Sequence, residues 1–162
     1  MNNKAQDTFS LGPVSEEDGP FLVKWFNDPV LSGFMTDTEE NKIYTQSDID
    51  SMITDPQGCF YFAFKANGRI IGYGSIYDVN PLKQTGEFSF LIGDPGFRGK
   101  GLGCLLVSMI CQKAQEIGLK KLTCSIYSEN KPSVKSVEKN GFIRIREESI
   151  PGKEFFFEKI LF

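Results

Sequence analysis

The chain has 162 residues, 40% of them hydrophobic and 24% charged, which is the balance of one globular domain, so we expect 1–162 to fold as a single unit. Its formal net charge of −3 argues against a nucleic-acid partner, and no apolar run of about 18 residues predicts a membrane span. Because the chain contains no histidine, Ser-His-Asp and Cys-His hydrolases are excluded and proton transfer must use other groups.

The four cysteines favour free thiols over a metal site or disulfides. Cys59, Cys104, Cys111 and Cys124 include no Cys-x-x-Cys pair, and structural zinc needs four soft ligands at short spacing. The N-terminal ten residues are polar and lack the apolar stretch of a signal peptide. We therefore expect no metal and a cytoplasmic protein, where thiols stay reduced.

Hydrophobic periodicity and turn residues predict strands and helices along the whole chain. Ser15 is a helix-start signal, and Pro29 ends the following helix because the residue before proline avoids the helical region. Asn67-Gly68 is the favoured pair for a two-residue hairpin turn, and Gly118 is a fitting stop for a helix that begins at Leu102. The predicted strands lie at 9–14, 59–64, 69–77, 86–92, 121–127, 142–150 and 154–162, and the predicted helices at 15–26, 45–53, 102–117 and 132–139, with a loop or weak helix at 31–44.

The order of these elements predicts the fold class. A strand and two helices precede three strands, and a helix, a strand, a helix and two strands follow. This order is typical of an α/β (α+β) layer on a largely antiparallel sheet with one crossover in its middle. A last hairpin is expected to turn at Pro151-Gly152.

A glycine-rich loop between a strand and an apolar helix, at 93–101, has the pattern of a phosphate-binding site. A Walker loop requires Ser or Thr after Gly-Lys, but Gly99-Lys100 is followed by Gly101. A dinucleotide fingerprint requires Gly-x-Gly-x-x-Gly, but Gly103 follows Gly101 after a single residue. Neither of these two sites is therefore predicted.

The motif Arg98-x-x-Gly101-x-Gly103 resembles the pyrophosphate-binding loop of the GNAT acetyltransferase superfamily. A downstream block, Asn130-x-x-Ser133 followed by a terminal Gly-Phe at 141–142, is similar to the second conserved block of that family. The resemblance covers about residues 85–145, one strand–loop–helix unit and the strand and helix after it.

An upstream segment adds a weaker similarity. Trp25-Phe26-Asn27-Asp28-Pro29 is similar to the opening of the branch that contains ribosomal-protein N-terminal acetylases and several sugar-amine acetylases. The resemblance implies a GNAT fold, with a mixed, mostly antiparallel sheet of about six to seven strands flanked by about four helices.

The resemblance also implies an activity and a binding site. It implies an acetyl-CoA-dependent N-acetyltransferase without a metal, acting by direct attack in a ternary complex. The acceptor would be a primary amine of a small molecule or a protein N-terminus. A backbone bulge in the strand before the loop would present its N–H to the thioester. The residues implied to bind acetyl-CoA are Leu91, Ile92, Gly93, Arg98, Gly99, Lys100, Gly101, Leu102, Gly103, Cys104, Asn130 and Ser133.

The catalytic residues depart from the family pattern. Val137 stands where relatives often carry a tyrosine that acts as general acid toward the thiol. Ser125 stands at another position where relatives often carry a general acid. Glu87, on the strand before the loop, is then the candidate for the base that relays the proton through water, although a solvated strand-end glutamate is the alternative. Because a dedicated acid is missing, an acyl-CoA-binding module without turnover is the alternative function.

The acceptor is left open by the sequence. By analogy with the family, residues 27–45 and the last hairpin would flank the acceptor, and Asp37, Glu39 and Glu40 could attract a cationic amine. A protein N-terminus, a polyamine, an aminoglycoside and a nucleotide-linked amino sugar all fit. The expected assembly is a monomer or a homodimer.

Overall fold

The computed structural model describes residues 6–35, 41–147 and 153–162. Within these ranges seven strands form one sheet, five α-helices pack on it, and two 3₁₀ turns lie at Glu16–Asp18 and Pro95–Phe97. The strands are β1 (Phe9–Pro13), β2 (Phe60–Ala66), β3 (Arg69–Asn80), β4 (Thr85–Ile92), β5 (Lys121–Tyr127), β6 (Ile143–Glu147) and β7 (Glu154–Ile160). The helices are α1 (Gly19–Phe26), α2 (Pro29–Ser32), α3 (Gln46–Thr54), α4 (Leu102–Glu116) and α5 (Lys131–Lys139). None of the helices in this part of the chain is long and apolar enough to cross a membrane.

The sheet is antiparallel except at its centre. Its strand order is β1-β2-β3-β4-β5-β7-β6, and β4 and β5 are parallel because α4 crosses between them. These two strands pair only over Thr85–Glu87 and Lys121–Thr123. β4 runs on to Ile92 and β5 to Tyr127 beyond that pairing, so the two strands separate and leave a gap in the sheet. The predicted mixed sheet with one central crossover is confirmed.

Two hydrophobic cores cover the two faces of the sheet. On one face, α4 packs on β3 and β4 so closely that a Cβ on Gly74 would lie 2.7 Å from the Ile110 side chain. On the other face, Tyr73 and Leu91 are buried with Leu22 of α1 and Ile49 of α3. The chain therefore places the central strands between two layers of helices.

The boundaries of three elements differ from the predictions. Residues 16–18 form a separate 3₁₀ turn, because the Asp18 carboxylate accepts hydrogen bonds from the N–H and hydroxyl of Ser15, both at 2.9 Å. α2 is a single turn where a loop or weak helix was expected, and Asp28 caps it by accepting from Val30 N–H at 2.9 Å. β3 extends to Asn80 through an irregularity at Asp78, whose φ is 47°. The predicted turn Pro151-Gly152 lies outside the described residues.

Candidate active site

A groove of about 480 Å³ opens where β4 ends and where α4 and α5 begin. Its walls come from the end of β4, the glycine-rich loop, the first turn of α4 and one side of α5. Ten of the twelve predicted cofactor residues line it: Leu91, Ile92, Arg98, Gly99, Gly101, Leu102, Gly103, Cys104, Asn130 and Ser133. Gly93 and Lys100 do not line it, and the Lys100 ammonium lies 5.3 Å from the centre of the Phe97 ring.

The glycine-rich loop has a shape and surroundings that suit a phosphate group. Gly99 and Gly101 adopt φ values of 70° and 76°, which favour glycine, and a Cβ on either would meet no atom within 4 Å. The space beside the loop is therefore open. Gly101 is the capping residue directly before α4. The unpaired N–H groups of the first turn of α4 and the positive end of its helix dipole therefore lie at that space. The residues present thus fit a pyrophosphate.

Arg98 contacts the loop and β4. Its Nε donates to the Ile92 carbonyl at 3.0 Å and its Nη2 to the Gly93 carbonyl at 2.6 Å. The guanidinium therefore holds the glycine-rich loop against the end of β4. The side-chain hydrogen bonds of Arg98 thus go to the chain itself, and its contact with the cofactor stays a prediction.

The backbone of β4 turns donors toward the gap between β4 and β5. The Gly93 N–H donates to the Ile71 carbonyl at 2.9 Å, so that group is committed to β3. Because successive residues of a strand direct their backbone groups to opposite edges, Leu91 also faces β3, whereas Phe90 and Ile92 face the gap. Of the predicted residues Leu91, Ile92 and Gly93, only Ile92 thus directs its N–H toward the gap.

Asn130 and Ser133 lie at the start of α5. Asn130 is the cap of this helix and accepts from the Ser133 N–H at 3.4 Å. Both residues also line a pocket of about 20 Å³ in the gap between β4 and β5, together with Ser89 and Phe90. The second predicted motif therefore lies at the junction of the groove and the gap.

A second cavity, of about 560 Å³, lies on the opposite face of the sheet, between α3 and strands β2 and β3. We call it the acceptor-side cavity. Its lining residues are Phe26, Lys42, Tyr44, Asp48, Ser51, Met52, Asp55, Cys59, Tyr61, Tyr73, Ser75, Tyr77 and Asp78. None of the residues that line the groove lines this cavity.

A polar connection joins this cavity to the gap. The hydroxyl oxygens of Ser75, in the cavity wall, and Ser89, in the pocket of the gap, lie 3.4 Å apart. Beside them, the Tyr77 hydroxyl donates to Glu87 Oε1 at 3.0 Å. Glu87 is half-buried and faces the same side of the sheet as Ser75 and Ser89. A carboxylate is thus present where the cavity and the gap meet.

The two departures from the family pattern have clear positions. Val137 is fully buried in the core under α5, whereas Ser125 lines the pocket of the gap. Neither supplies an acid. Sequence reasoning missed Tyr77, which contacts Glu87 and lines the acceptor-side cavity, because only the β3–β4 register brings the two together.

The similar segment upstream has defined structural contacts. The buried Trp25 ring packs against Gly93 at the end of β4. The Asn27 amide exchanges two hydrogen bonds of 2.8 Å with the backbone N–H and C=O of Tyr44, a residue of the acceptor-side cavity. These contacts connect α1 and the residue after it to the end of β4 and to the acceptor-side cavity. Asp37, Glu39 and Glu40 lie outside the described residues.

Asn140 was also missed as a contact of the groove. Its Nδ2 donates to the Cys104 carbonyl at 2.9 Å and to the Ser136 carbonyl at 2.8 Å. At the same place a Cβ on Gly103 would lie 2.9 Å from the Ser136 hydroxyl. The first turn of α4 is therefore held close to α5.

Comparison with known proteins places this geometry in a family. The family model described as an acetyltransferase (GNAT) domain matches residues 9–143. The chain belongs to the GNAT acetyltransferase family. The chain therefore contains an acetyltransferase domain, and the predicted GNAT fold is confirmed.

Individual relatives differ in how much of the chain they match. The Bacillus subtilis acetyltransferase YwnH is 35% identical over 85 residues, which are 51% of this chain and 52% of that protein. This chain thus spans about half the length of that relative. The structure of YncA from Salmonella typhimurium with acetyl-CoA has a TM-score of 0.79 at 20% identity, over 95% of this chain and 94% of that one. A Vibrio cholerae spermidine N-acetyltransferase with CoA and spermine has a TM-score of 0.82 at 16% identity, over 94% and 95% of the two chains.

Proposed function

We propose that this protein transfers an acetyl group from acetyl-CoA to a primary amine of a small molecule or a protein N-terminus, by direct attack in a ternary complex. The observation that carries the proposal is the connection between two spaces on opposite faces of β4. Ser75 in the acceptor-side cavity lies 3.4 Å from Ser89 in the small pocket of the gap between β4 and β5, and that pocket shares Asn130 and Ser133 with the groove. Two substrates bound in these spaces would meet at the gap, which is what direct attack requires.

The groove would bind acetyl-CoA, which supplies an activated thioester. The N–H groups of residues 99–104 and the dipole of α4 would hold the pyrophosphate. Arg98 would act through the loop, by keeping it against β4. Asn130 and Ser133 lie where the pantetheine arm would turn into the gap.

The gap would stabilise the charge that develops during attack. The Ile92 N–H faces this space from a strand whose other edge is fixed by pairing with β3. A backbone donor of this kind needs little reorganisation when an oxyanion forms, which is why such donors are effective in acyl transfer. The Leu91 side chain is not needed for this role, and the Gly93 N–H is committed to the Ile71 carbonyl.

Glu87 would take the proton of the attacking ammonium. Loss of this proton, directly or through Tyr77 or water, frees the amine lone pair, which attacks the carbonyl and forms the C–N bond. As the oxyanion collapses the C–S bond breaks, the thiolate leaves, and the second amine proton passes to the thiolate or to water. Tyr77 positions this carboxylate through its 3.0 Å hydrogen bond. No dedicated acid is needed, because a thiol with a pKa near 8.5 is a good leaving group as its thiolate.

The substrate of one structurally similar protein supports a small amine as the acceptor. The Vibrio cholerae neighbour is a spermidine N-acetyltransferase whose structure holds CoA and spermine. An intracellular location, the cytoplasm, is also proposed, because all four cysteines are free thiols. A monomer or a homodimer is consistent with the proposal, which needs neither nucleic acid nor a membrane.

A substitution of Glu87 tests the catalytic part of the proposal. Glu87→Gln keeps the shape of the side chain and removes its basicity, so turnover should fall by roughly 10²–10⁴-fold while acetyl-CoA affinity changes little. The matched control is Glu116→Gln, which makes the same change on the exposed surface of α4. Thiol release and calorimetry would measure the two quantities. Turnover within a few-fold of the wild type in Glu87→Gln would remove Glu87 from the mechanism.

The alternative, an acyl-CoA-binding module without turnover, has a distinct outcome in the same assay. Acetyl-CoA would bind at the groove, but no thiol would be released with any amine of a broad panel. The half-buried Glu87–Tyr77 pair beside the gap favours the enzyme, because a binding module has no use for a base at that point.

A further inference from the structure

The acceptor-side cavity combines aromatic walls with negative charge. Five of its lining residues are aromatic: Phe26, Tyr44, Tyr61, Tyr73 and Tyr77. Three are aspartates: Asp48, Asp55 and Asp78. The faces of aromatic rings attract cations within about 6 Å, and carboxylates beside them add to the attraction. Such a lining favours a positively charged occupant.

The protein itself holds one ammonium group in this wall. Lys42 Nζ lies 4.9 Å from the centre of the Tyr44 ring and 3.4 Å from Asp48 Oδ1. Hydrogen bonds from Thr45 hold the pKa of Asp48 below its ordinary value, so that this carboxylate is charged near neutral pH. The wall can therefore place a cation between a ring and a carboxylate.

Asp55 and Asp78 have no basic partner of this kind. In the parts of the chain that the structure describes, no lysine or arginine nitrogen lies within 4.0 Å of either carboxylate. Asp55 accepts a hydrogen bond from Gln57 Nε2 at 2.6 Å, and Asp78 stands at the irregularity of β3, one residue after Tyr77. Among the described residues, the cavity thus has two carboxylates that no lysine or arginine pairs with.

We propose that the acceptor is a small amine with two ammonium groups. One of them reacts at the gap, near Glu87, and the other binds between the aromatic walls and the carboxylates of Asp55 and Asp78. This inference rests on the proposed function, since it assigns the cavity to the acceptor. An acceptor that carries a carboxylate in place of the second ammonium is disfavoured, because its negative charge would face the two aspartates.

A matched pair of amines tests the inference. Butylamine and 1,4-diaminobutane have the same carbon chain and one reactive amine in common, and they differ in the second ammonium. We expect kcat/KM for the diamine to exceed that for the monoamine by about tenfold, as a ring contact and two exposed carboxylates together can supply. The ratio should decrease as salt is added, because salt screens these charges.

Removing the two carboxylates should abolish this preference. In the double variant Asp55→Asn/Asp78→Asn, the ratio of the two kcat/KM values should fall towards one. The control is Asp50→Asn, which makes the same change on an exposed residue of α3 that does not line the cavity. Its side chain accepts a hydrogen bond from Gln46 through Oδ1, which asparagine retains. The control should keep the wild-type ratio.

A binding measurement separates this inference from the proposed function. Calorimetry would follow 1,4-diaminobutane binding to the CoA complex of the wild type and of the double variant, without turnover. Equal rates for both amines, or an unchanged ratio in the double variant, would overturn the diamine site even if acetylation is robust. Binding that requires Asp55 and Asp78 without any thiol release would support the diamine site and contradict the proposed reaction. The absence of both diamine binding and a preference for the diamine would overturn the diamine site.

Discussion

A substitution of Gly93, which contacts Trp25, tests most directly how α1 packs against the end of β4. Gly93 has no side chain, and the Trp25 ring, 4% exposed, occupies the space where a Cβ would lie. A Cβ built there would overlap the ring, with Cε3 only 2.5 Å away, whereas ordinary contacts begin at 3.4 Å. Gly93→Ala must therefore move either the indole or the end of β4.

The size of the effect follows from this overlap. Relieving it needs a movement of about 1 Å, and overpacking a filled core costs about 1–3 kcal/mol. Replacing glycine by alanine elsewhere in an element gains up to about 1 kcal/mol of backbone entropy, which offsets part of the cost. We expect Gly93→Ala to lower the free energy of unfolding by about 2 kcal/mol. The Gly93 carbonyl also accepts from Arg98, so acetyl-CoA affinity should fall as well.

Urea unfolding measures the change. With a slope of about 2 kcal/mol per molar, the midpoint should fall by about 1 M in Gly93→Ala. Gly12→Ala is the control, since Gly12 lies in β1, where a Cβ meets no atom within 4 Å, and its midpoint should barely change. In a Trp25→Leu background the cost of Gly93→Ala should decrease by more than about 1 kcal/mol. Equal midpoints for the two alanine variants, or the same cost in both backgrounds, would refute the reasoning.

Three further predictions concern the groove and the thiols. Gly101→Ala places a side chain at a φ of 76°, so we expect about 1 kcal/mol of destabilisation and at least a tenfold weaker binding of CoA by calorimetry. Asn130→Ala removes the cap of α5 and should cost about 1 kcal/mol in urea unfolding; CoA affinity that stays unchanged would limit Asn130 to capping. Burial, reinforced by the charge of Glu87, raises the pKa of the Cys124 thiol, so a thiol reagent at pH 8 should leave Cys124 unmodified in the native protein, as mass spectrometry would show. Cys104, partly exposed in the groove, should react and should be protected by CoA.

Local signals predicted the order of the elements well. Asn67 and Gly68 have φ values of 50° and 82°, as the hairpin turn predicted from this pair requires. The apolar spacing from Leu102 predicted α4, which ends at Glu116, one residue before the prediction. Each of these signals lies within one element or one turn, so a single stretch of sequence is enough to read it.

Contacts between distant segments could not be predicted in this way. The pairing of Tyr77 with Glu87 depends on the β3–β4 register, and that register is shifted by the irregularity after Tyr77. The packing of Trp25 against Gly93 joins residues 68 positions apart. No periodicity marks such pairs, because they result from how whole elements pack.

This difference has a consequence for the two substrates. The groove is built mainly from two continuous stretches, 90–104 and 130–139, so its motif is compact and can be recognised in a sequence. The acceptor-side cavity collects residues from α1, the segment before α3, α3 itself, and strands β2 and β3. Substitutions along α3 or at the end of β3 can thus change the charge of this cavity without touching the glycine-rich loop. The loop therefore indicates the family, whereas in the proposal above the acceptor would be selected by side chains such as Asp55 and Asp78, which no motif contains.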